Sequence, residues 1–539
     1  MNVSGLFLLI LSVILFFAGY IFYGGYLARK FKLDNSQKTP AHTMRDDVDY
    51  VPTKSVVLLG HHFASIAGAA PIIGPITAAA FGWGPVYLWI VVGGIFMGAV
   101  HDFSSLVASI RHKAQSIGKV IEEHVGPFGK RLFLVFAWAT LVLILAAFLV
   151  IVARTFAAKP EVGTASALFI LLALIFGVSI YRWKVNLVAG TVVGVALLFL
   201  CIYLGMLFPL QLPMSAWIWI LMGYIFVASV VPVWVLLQPR DYLNSFLLYL
   251  LLIGAFLGIV ATNPSIKLEI YRGFSQDIGY LFPILFVTVA CGAISGFHSL
   301  VASGTTAKQV NKETDTKPIG YGAMLIESLL AVIALITVGI LTQQEYHGFM
   351  SGGGGGPVTL FANGVGNFMS KLGLPLETGI SFAALTVSAF ALTTLDTATR
   401  LSRFSFQEFF TPKKSQGEGS RKRWVTNRFF GTLVSVAAGG GLALTGQWKA
   451  IWPLFGSANQ LLAALALLAV TLWLKNKKIA NWFTRWPMYF MYIMTNCALL
   501  LLLWKNLRAQ NYLLAFFTLL LLGVSIAMVV RAIKALKAR

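Results

Sequence analysis

With 58% hydrophobic and 11% charged residues over 539 positions, and a mean hydropathy of +0.81, the chain cannot be folded around one soluble core, so lipid must be its solvent. Its formal net charge of +22 would suit a nucleic-acid partner, but the basic residues collect in alternate loops between apolar segments, the pattern of the positive-inside rule. Cys201, Cys291 and Cys497 all fall inside apolar segments, which leaves neither a disulfide framework nor a CxxC metal site.

A helix needs roughly 20 mainly apolar residues to cross the hydrocarbon, and the sequence offers about fifteen such segments, so an all-α polytopic membrane protein is expected. They lie near Gly5 to Leu27, Ser55 to Ala80, Pro85 to Ser109, Leu132 to Ala153, Ala165 to Tyr181, Val185 to Phe208, Ala216 to Leu237 and Asn244 to Ala261. The series continues near Tyr280 to Val301, Ile319 to Leu341, Thr378 to Leu395, Phe429 to Leu444, Ala450 to Leu474, Met488 to Trp504 and Tyr512 to Val530. The opening MNVSGLFLLI has no basic stretch ahead of its apolar run, so the first segment reads as a retained span and not a cleaved signal peptide.

Basic residues from Arg29 to Lys54, Arg111 to Arg131, Lys308 to Lys317 and Arg400 to Arg428 mark inner loops, whereas Thr342 to Glu377 holds Lys371 alone and reads as outer. Alternation gives an outside N-terminus and a cytoplasmic C-terminus. SGGGGGP at 351–357 and PKKSQGEGSRKR at 412–423 read as linkers; the glycine tract has no preceding strand and no following Gly-Lys-Ser/Thr, which excludes a phosphate loop.

The stretch LLGHHFASIAGAAPIIGPITAAAFG, residues 58–82, combines His61 and His62 with Pro71, Pro75 and glycines, and no Asp, Glu, Lys or Arg occurs between Lys54 and Asp102. A helix broken in hydrocarbon leaves backbone groups unpaired, so such a segment must face protein or a wet cavity, as at the substrate sites of secondary transporters. The two histidines point roughly 100° apart on a helix, and His61 shares a face with Ser65, which makes it a proton-exchanging group on a polar seam. Adjacent histidines lack the i, i+4 geometry of a metal pair, and His101, Asp102 and His298 are the further ligands a metal would need; no metal is assigned.

In FPILFVTVACGAISGFHSLVASGTT, residues 282–306, Ser295, Ser299 and Ser303 recur every four residues beside His298 and form a hydroxyl stripe that either bonds back to its own helix or lines a solute path. Glu327 lies about 12 Å beyond the cytoplasmic start of its span at 1.5 Å per residue, deep enough to need a partner or to carry a proton. Asp396 stands one turn before Arg400, the favourable order for an ion pair. In PRDYL, residues 239–243, Pro239 is expected to end one helix and Asp241, beside Arg240, to cap the next.

Several long stretches, in order along the chain, resemble the signature of the carbon starvation protein A family. They are TPAHTMRDDVDYVPTKSVVLLGHHFASIAGAAPIIGP at 39–75, VPVWVLLQPRDYL at 231–243, CGAISGFHSLVASGTT at 291–306, IGYGAMLIES at 319–328, LTTLDTATR at 392–400 and WPLFGSANQLLA at 452–463. The resemblance implies an inner-membrane nutrient transporter of the amino acid, polyamine and organocation superfamily, with relatives linked to peptide uptake and proton-coupled pyruvate uptake. It implies a leucine-transporter-like core of five-plus-five inverted repeats. The span with His61 is then the first repeat helix and Ala216 to Leu237, interrupted at Val231-Pro232, the sixth. The eighth, with hydroxyls for a coupling ion, falls on the span of Ser299, Ser303, Thr305 and Thr306, which makes sodium conceivable. Residues 1–54 would be a first span and loop, 55–411 the core, 412–428 a basic linker, and 429–539 peripheral helices.

The expected function is therefore a proton-coupled symporter, not an enzyme and without cofactor, that imports a small carboxylate such as a peptide or pyruvate, with half-helix N-termini attracting the carboxylate and His61 or His62 coupling the proton. A channel and a membrane-embedded metal hydrolase are the competing classes. The oligomeric state is not written in the sequence.

Overall fold

A computed structural model describes residues 3–46, 50–232, 235–351, 355–410 and 424–537; the basic linker at 412–423 and glycines 352–354 lie outside the described residues. Apolar runs of this length have only one way to satisfy their backbone in lipid without a partner strand, and the described chain is accordingly helical, apart from one hairpin of Ser275–Gln276 with Gly279–Tyr280.

Eleven helices are long and apolar enough to cross a membrane: Gly5–Phe31, Trp83–Arg111, Pro127–Ala158, Pro160–Ile180, Leu187–Leu207, Pro239–Thr262, Glu313–Gly339, Leu376–Phe410, Ala450–Asn476, Trp482–Arg508 and Tyr512–Lys534. A twelfth is split into Ser55–Ile66 and Ala70–Phe81, which meet at 48°. Met214–Val230 and Arg428–Leu444 are shorter apolar helices. The remaining predicted span, near Tyr280 to Val301, is not one helix: helical turns over 281–288 give way to an irregular stretch before the helix Gly296–Gly304. The predicted outer loop from Thr342 to Glu377 is itself largely helical, as Gln343–Met350 and Gly356–Ser370.

The order of elements repeats. The split pair, Trp83–Arg111, the short helix Ile117–Val125, the long helix Pro127–Ala158, Met214–Val230 and Leu237–Thr262 are matched by 281–304, Glu313–Gly339, Gly356–Ser370, Leu376–Phe410, Arg428–Leu444 and Trp448–Asn476. Packing follows the same correspondence. Ser55–Ile66 lies on Leu237–Thr262 as 281–288 lies on Trp448–Asn476, and Ala70–Ala78 lies on Ala323–Gly339 as Gly296–Gly304 lies on Ala99–Arg111. The two long helices Pro127–Ala158 and Leu376–Phe410 pack on each other, as do Met214–Val230 and Arg428–Leu444. Counted from the split pair, which is itself one crossing, and with Met214–Val230 as another, seven crossings lead to 281–304, so this segment enters from the side opposite to the split pair.

This order corrects three expectations. The sixth repeat position belongs to 281–304 and not to Ala216–Leu237; the latter helix stops at Val230, and Val231 is extended (φ −74°, ψ 147°), as the residue before Pro232 must be. The eighth position belongs to Leu376–Phe410 and not to the span of Ser299 and Ser303. The boundary near Phe429 does not begin a peripheral layer, because Ala450–Asn476 is the most enclosed of the long helices, with its apolar window 100% buried, and Arg428–Leu444 packs on the core.

The two split segments cross at their breaks. A Cβ on Gly74 would stand 2.6 Å from the Thr288 carbonyl oxygen, a backbone atom that cannot move aside. Gly74→Val is expected to cost about 1–3 kcal/mol through overpacking. Thermal unfolding in detergent should show a lowered midpoint for Gly74→Val and none for Gly441→Ala, whose Cβ would meet nothing within 4 Å.

Candidate functional site at the crossed breaks

In the first break, Ala67 (φ −76°, ψ 71°) lets the Gly68 N–H donate to the Ile66 carbonyl at 2.8 Å, an inverse γ-turn. Pro71 follows in the first turn of the next half-helix, where its missing N–H costs nothing, and Pro75 lies inside that half. A Cβ on Gly68 would stand 2.5 Å from the Thr394 hydroxyl, so the break is pressed against Leu376–Phe410.

The second break is longer and borrows its partners. Asn459 Oδ1 accepts the Phe297 N–H at 2.9 Å and its Nδ2 donates to Ser295 Oγ at 3.0 Å, on the N-terminal side of Gly296–Gly304. Gln460 Nε2 donates to the carbonyls of Phe286 at 2.5 Å and Val289 at 3.4 Å, on the other side of the gap. The two adjacent amides of WPLFGSANQ thus bracket one break. Ser295 sits in the irregular stretch (φ −137°, ψ 124°), so the expected hydroxyl stripe is not continuous. Ser299 and Ser303 donate to the carbonyls of Gly296 and Ser299, both at 2.7 Å, and Thr305 to Val301 at 3.0 Å, so these hydroxyls bond back to their own helix.

A fully buried polar cluster lies beside this break. Asp102, from Ala99–Arg111, takes His298 Nδ1 on Oδ2 and His101 Nδ1 on Oδ1, both at 2.7 Å. A carboxylate accepts and does not donate, so both ring nitrogens carry hydrogen. His298 Nε2 stands 3.4 Å from Glu327 Oε2, and Cys291 Sγ 3.4 Å from Ser295 Oγ. His62 Nδ1 reaches the Thr306 hydroxyl at 2.8 Å, whereas His61 contributes its carbonyl, which accepts the Ser65 hydroxyl at 2.8 Å. The sequence singles out His298 and Glu327 separately; Asp102, the partner of His298, enters there only as a metal-ligand option, and Cys291 only as a cysteine inside an apolar segment.

A second cluster is built on Leu376–Phe410 around Thr393 and Asp396, the neighbours in sequence of the Thr394 that the first break approaches. Asp396 bonds Arg240 Nη1 and, at 2.7 Å, the Tyr224 hydroxyl, while Arg240 Nη2 reaches Asp241 Oδ1 and Thr393 Oγ1, both at 3.1 Å. The expected Asp396 to Arg400 pair is therefore replaced: Arg400 donates to the carbonyls of Ala228 and Val231, and Asp396 is held from Leu237–Thr262. That helix begins before Pro239, so Pro239 ends nothing and Asp241 is an in-helix partner of Arg240 and not a cap.

A cavity of about 680 Å³ opens over the crossing on the side of Gln343–Met350, lined by Thr77, Thr288, Arg154, Arg272, Lys505 and Asp277 among others. Among the described residues Arg154 has no ion pair. A second cavity, also about 680 Å³, lies at the opposite end between Ser303, Lys130, Leu401 and Glu122. There Lys119 at 2.7 Å and Lys130 at 3.4 Å hold the Glu122 carboxyl below the usual carboxylate range.

Two split helices crossing within a bundle, with cavities at either end, make the protein a multi-pass membrane transporter, and the relatives below place it among secondary active transporters and not among enzymes. The chain belongs to the family described as carbon starvation protein CstA, whose sequence pattern matches residues 4–355 and 351–498. It is 35% identical to the peptide transporter CstA of Campylobacter jejuni, over 92% of this chain and 80% of that one. It is 32% identical to the pyruvate/proton symporter BtsT of Escherichia coli, over 92% and 81%, and 32% identical to the peptide transporter CstA of Bacillus subtilis, over 91% and 89%. In fold it is similar to the manganese transporter of Eremococcus coleocola, with a TM-score of 0.51 at 10% identity over 91% of this chain and 99% of that one.

Asn459→Leu strands the buried Phe297 N–H, and the expected cost is about 1–3 kcal/mol. Chemical unfolding of the purified variant should show that loss, while Asn459→Asp, which keeps the acceptor, should lose less.

Proposed function

We propose that the protein imports a small carboxylate-bearing nutrient, a peptide or a pyruvate-like keto acid, by proton symport across a bacterial-type inner membrane, with its N-terminus outside and its C-terminus cytoplasmic. The observation that carries the substrate class is the cavity over the crossed breaks, where Arg154, Arg272 and Lys505 face a single carboxylate, Asp277. A pocket with that excess of cations concentrates anions; the half-helix ends it meets, at Thr288 and near Thr77, are C-terminal ones, so the attraction rests on the cationic side chains and not on the expected half-helix N-termini. Orientation follows from the basic loops, which put this cavity on the outer side.

The proton is assigned to Asp396 and not to His61 or His62. Two buried carboxylates, Asp396 and Asp241, share one guanidinium, Arg240, so the cluster has one negative charge too many unless a proton is bound. Tyr224 faces it from Met214–Val230, and Arg400, one turn along the same helix, is turned to backbone carbonyls. Thr394 places this cluster beside the first break. Sodium remains the competing ion.

Uptake of labelled pyruvate and of a labelled dipeptide into proteoliposomes, with the proton gradient and sodium varied separately, tests the reading. Saturable uptake of one solute that rises with the inward proton gradient and ignores sodium is expected. Asp396→Asn leaves a balanced Arg240 and Asp241 pair; it should retain counterflow exchange yet lose acceleration by the gradient. Full gradient-driven accumulation in Asp396→Asn would move the coupling elsewhere. Arg154→Gln should raise KM for the carboxylate about tenfold or more, in line with losing one charge-assisted hydrogen bond.

A further inference from the structure

We infer that Cys291, His298 and Glu327 form a binding site for a divalent d-block cation of the zinc or cobalt type, which fastens the second break to the helix that follows it. One donor atom from each of the three lies within 4.8 Å of the others, and all three residues are buried. The spacing of His298 Nε2 and Glu327 Oε2, 3.4 Å, matches the edge of a tetrahedron, since two bonds of about 2.0–2.1 Å at the tetrahedral angle separate their ends by about 3.4 Å.

The atoms that face that space require a positive charge there, a proton or a metal ion. His298 gives its Nδ1–H to Asp102, so in the neutral ring Nε2 is a lone pair aimed at a carboxylate oxygen. No hydrogen bond joins them; His298 Nε2 and both Glu327 oxygens are buried without a hydrogen-bond partner. Two electron-rich atoms meet in this way when a proton or a metal cation lies between them. Charge points the same way, because neither Asp102 nor Glu327 has an ion pair with Lys or Arg among the described residues.

The surroundings resemble the support of a metal ligand. Asp102 orients His298 through the ring nitrogen that does not face the space, and His101 in turn binds the other oxygen of Asp102 at 2.7 Å. The donor set of one thiolate, one imidazole and one carboxylate favours zinc-like ions and disfavours magnesium and calcium, which take oxygen donors. On binding, a metal–sulfur bond replaces the Cys291 S–H bond and the proton leaves to solvent, with no change of oxidation state. A fourth position is open to water or to the Ser295 hydroxyl beside Cys291.

The test uses untagged, detergent-purified protein stripped with chelator and titrated with cobalt(II). Visible d–d bands of tetrahedral intensity with a thiolate-to-cobalt charge-transfer band, saturating at one equivalent and displaced by zinc, are expected. Cys291→Ser should lose the charge-transfer band, and Asp102→Asn should weaken binding about 10–100-fold. A wild-type titration without these bands overturns the site whatever the variants do, and leaves a proton as its only occupant. So does a wild-type spectrum that Cys291→Ser/Glu327→Gln reproduces in protein with an unchanged size-exclusion profile. The readout is binding, so it stands or falls separately from uptake and from Asp396.

Discussion

Everything at the centre of this molecule depends on one constraint: a helix interrupted in an apolar bundle must find partners for the backbone groups it exposes. The two breaks meet it differently. The first is so short that an inverse γ-turn at Ala67 absorbs it, with Pro71 placed where no donor is needed. The second runs from Val289 to Ser295 and closes on itself only in part, through the Ile294 N–H on the Ala290 carbonyl at 2.9 Å, so Asn459 and Gln460 supply a donor and an acceptor on one side and donors on the other. Because both amides stand on Trp448–Asn476, that helix and the second split segment are bound to move together. Among the described residues the first split segment has no amide tether at its break; its side-chain bonds lie to either side, His62 to Thr306 and the Tyr346 hydroxyl to the Ile76 carbonyl. Its contact with Leu376–Phe410 is a close approach of Gly68 to Thr394, which resists compression but not separation.

Charge is distributed on the same plan. Asp102, His298 and Glu327 join the second split segment to Trp83–Arg111 and Glu313–Gly339, while Arg240, Asp241, Asp396 and Tyr224 join Leu237–Thr262, Leu376–Phe410 and Met214–Val230. No residue is shared between the two clusters. A buried ion pair is weak evidence of stability, since desolvation offsets most of its attraction, but losing one member leaves an uncompensated charge costing about 3–5 kcal/mol. Such clusters therefore define which helix arrangements are permitted: an arrangement that parts Arg240 from Asp396 is accessible only if a proton or a solute compensates.

The sequence displayed the breaks more clearly than the pairings. Doubled prolines and histidines in an uncharged stretch mark the first split helix, and the apolar segments mark nearly all the helices. The second break has no proline at the gap itself; Val289 to Ser295 is apolar and small, and reads as helix until the partner amides, 160 residues or so further on, are placed against it. For the same reason the Ser295, Ser299, Ser303 spacing suggested a stripe that the break removes. Asp396 illustrates the limit of local rules, because an i, i+4 cation was available at Arg400 and the fold chose Arg240 instead. Local spacing shows which partners can be reached, and tertiary packing decides between them. The assignment of the sixth repeat helix failed through the inserted hairpin of Pro160–Tyr181 and Leu187–Leu207, which shifts the count by two crossings without changing its parity.

The cavity on the side of Gln343–Met350 gives a proposed carboxylate solute a way to act on this framework. Its three cations come from separate parts: Arg154 from the long helix Pro127–Ala158, Lys505 from Trp482–Arg508, and Arg272 from the segment ahead of the hairpin. Arg272 is itself fixed to the end of the first split segment, its N–H on the Phe81 carbonyl at 3.0 Å and Nη1 on that of Ala80 at 3.2 Å. A carboxylate held between Arg154 and Arg272 therefore links the first split segment, the one without an amide tether, to the long helix beside it. Binding energy from such a bridge is available only where the two cations converge, so it favours one arrangement of the first segment over another. On the reading proposed above, a keto acid and a peptide would both present that carboxylate and differ in what lies behind it, so discrimination between them would fall to the uncharged lining residues, Thr288 and Thr77 among them.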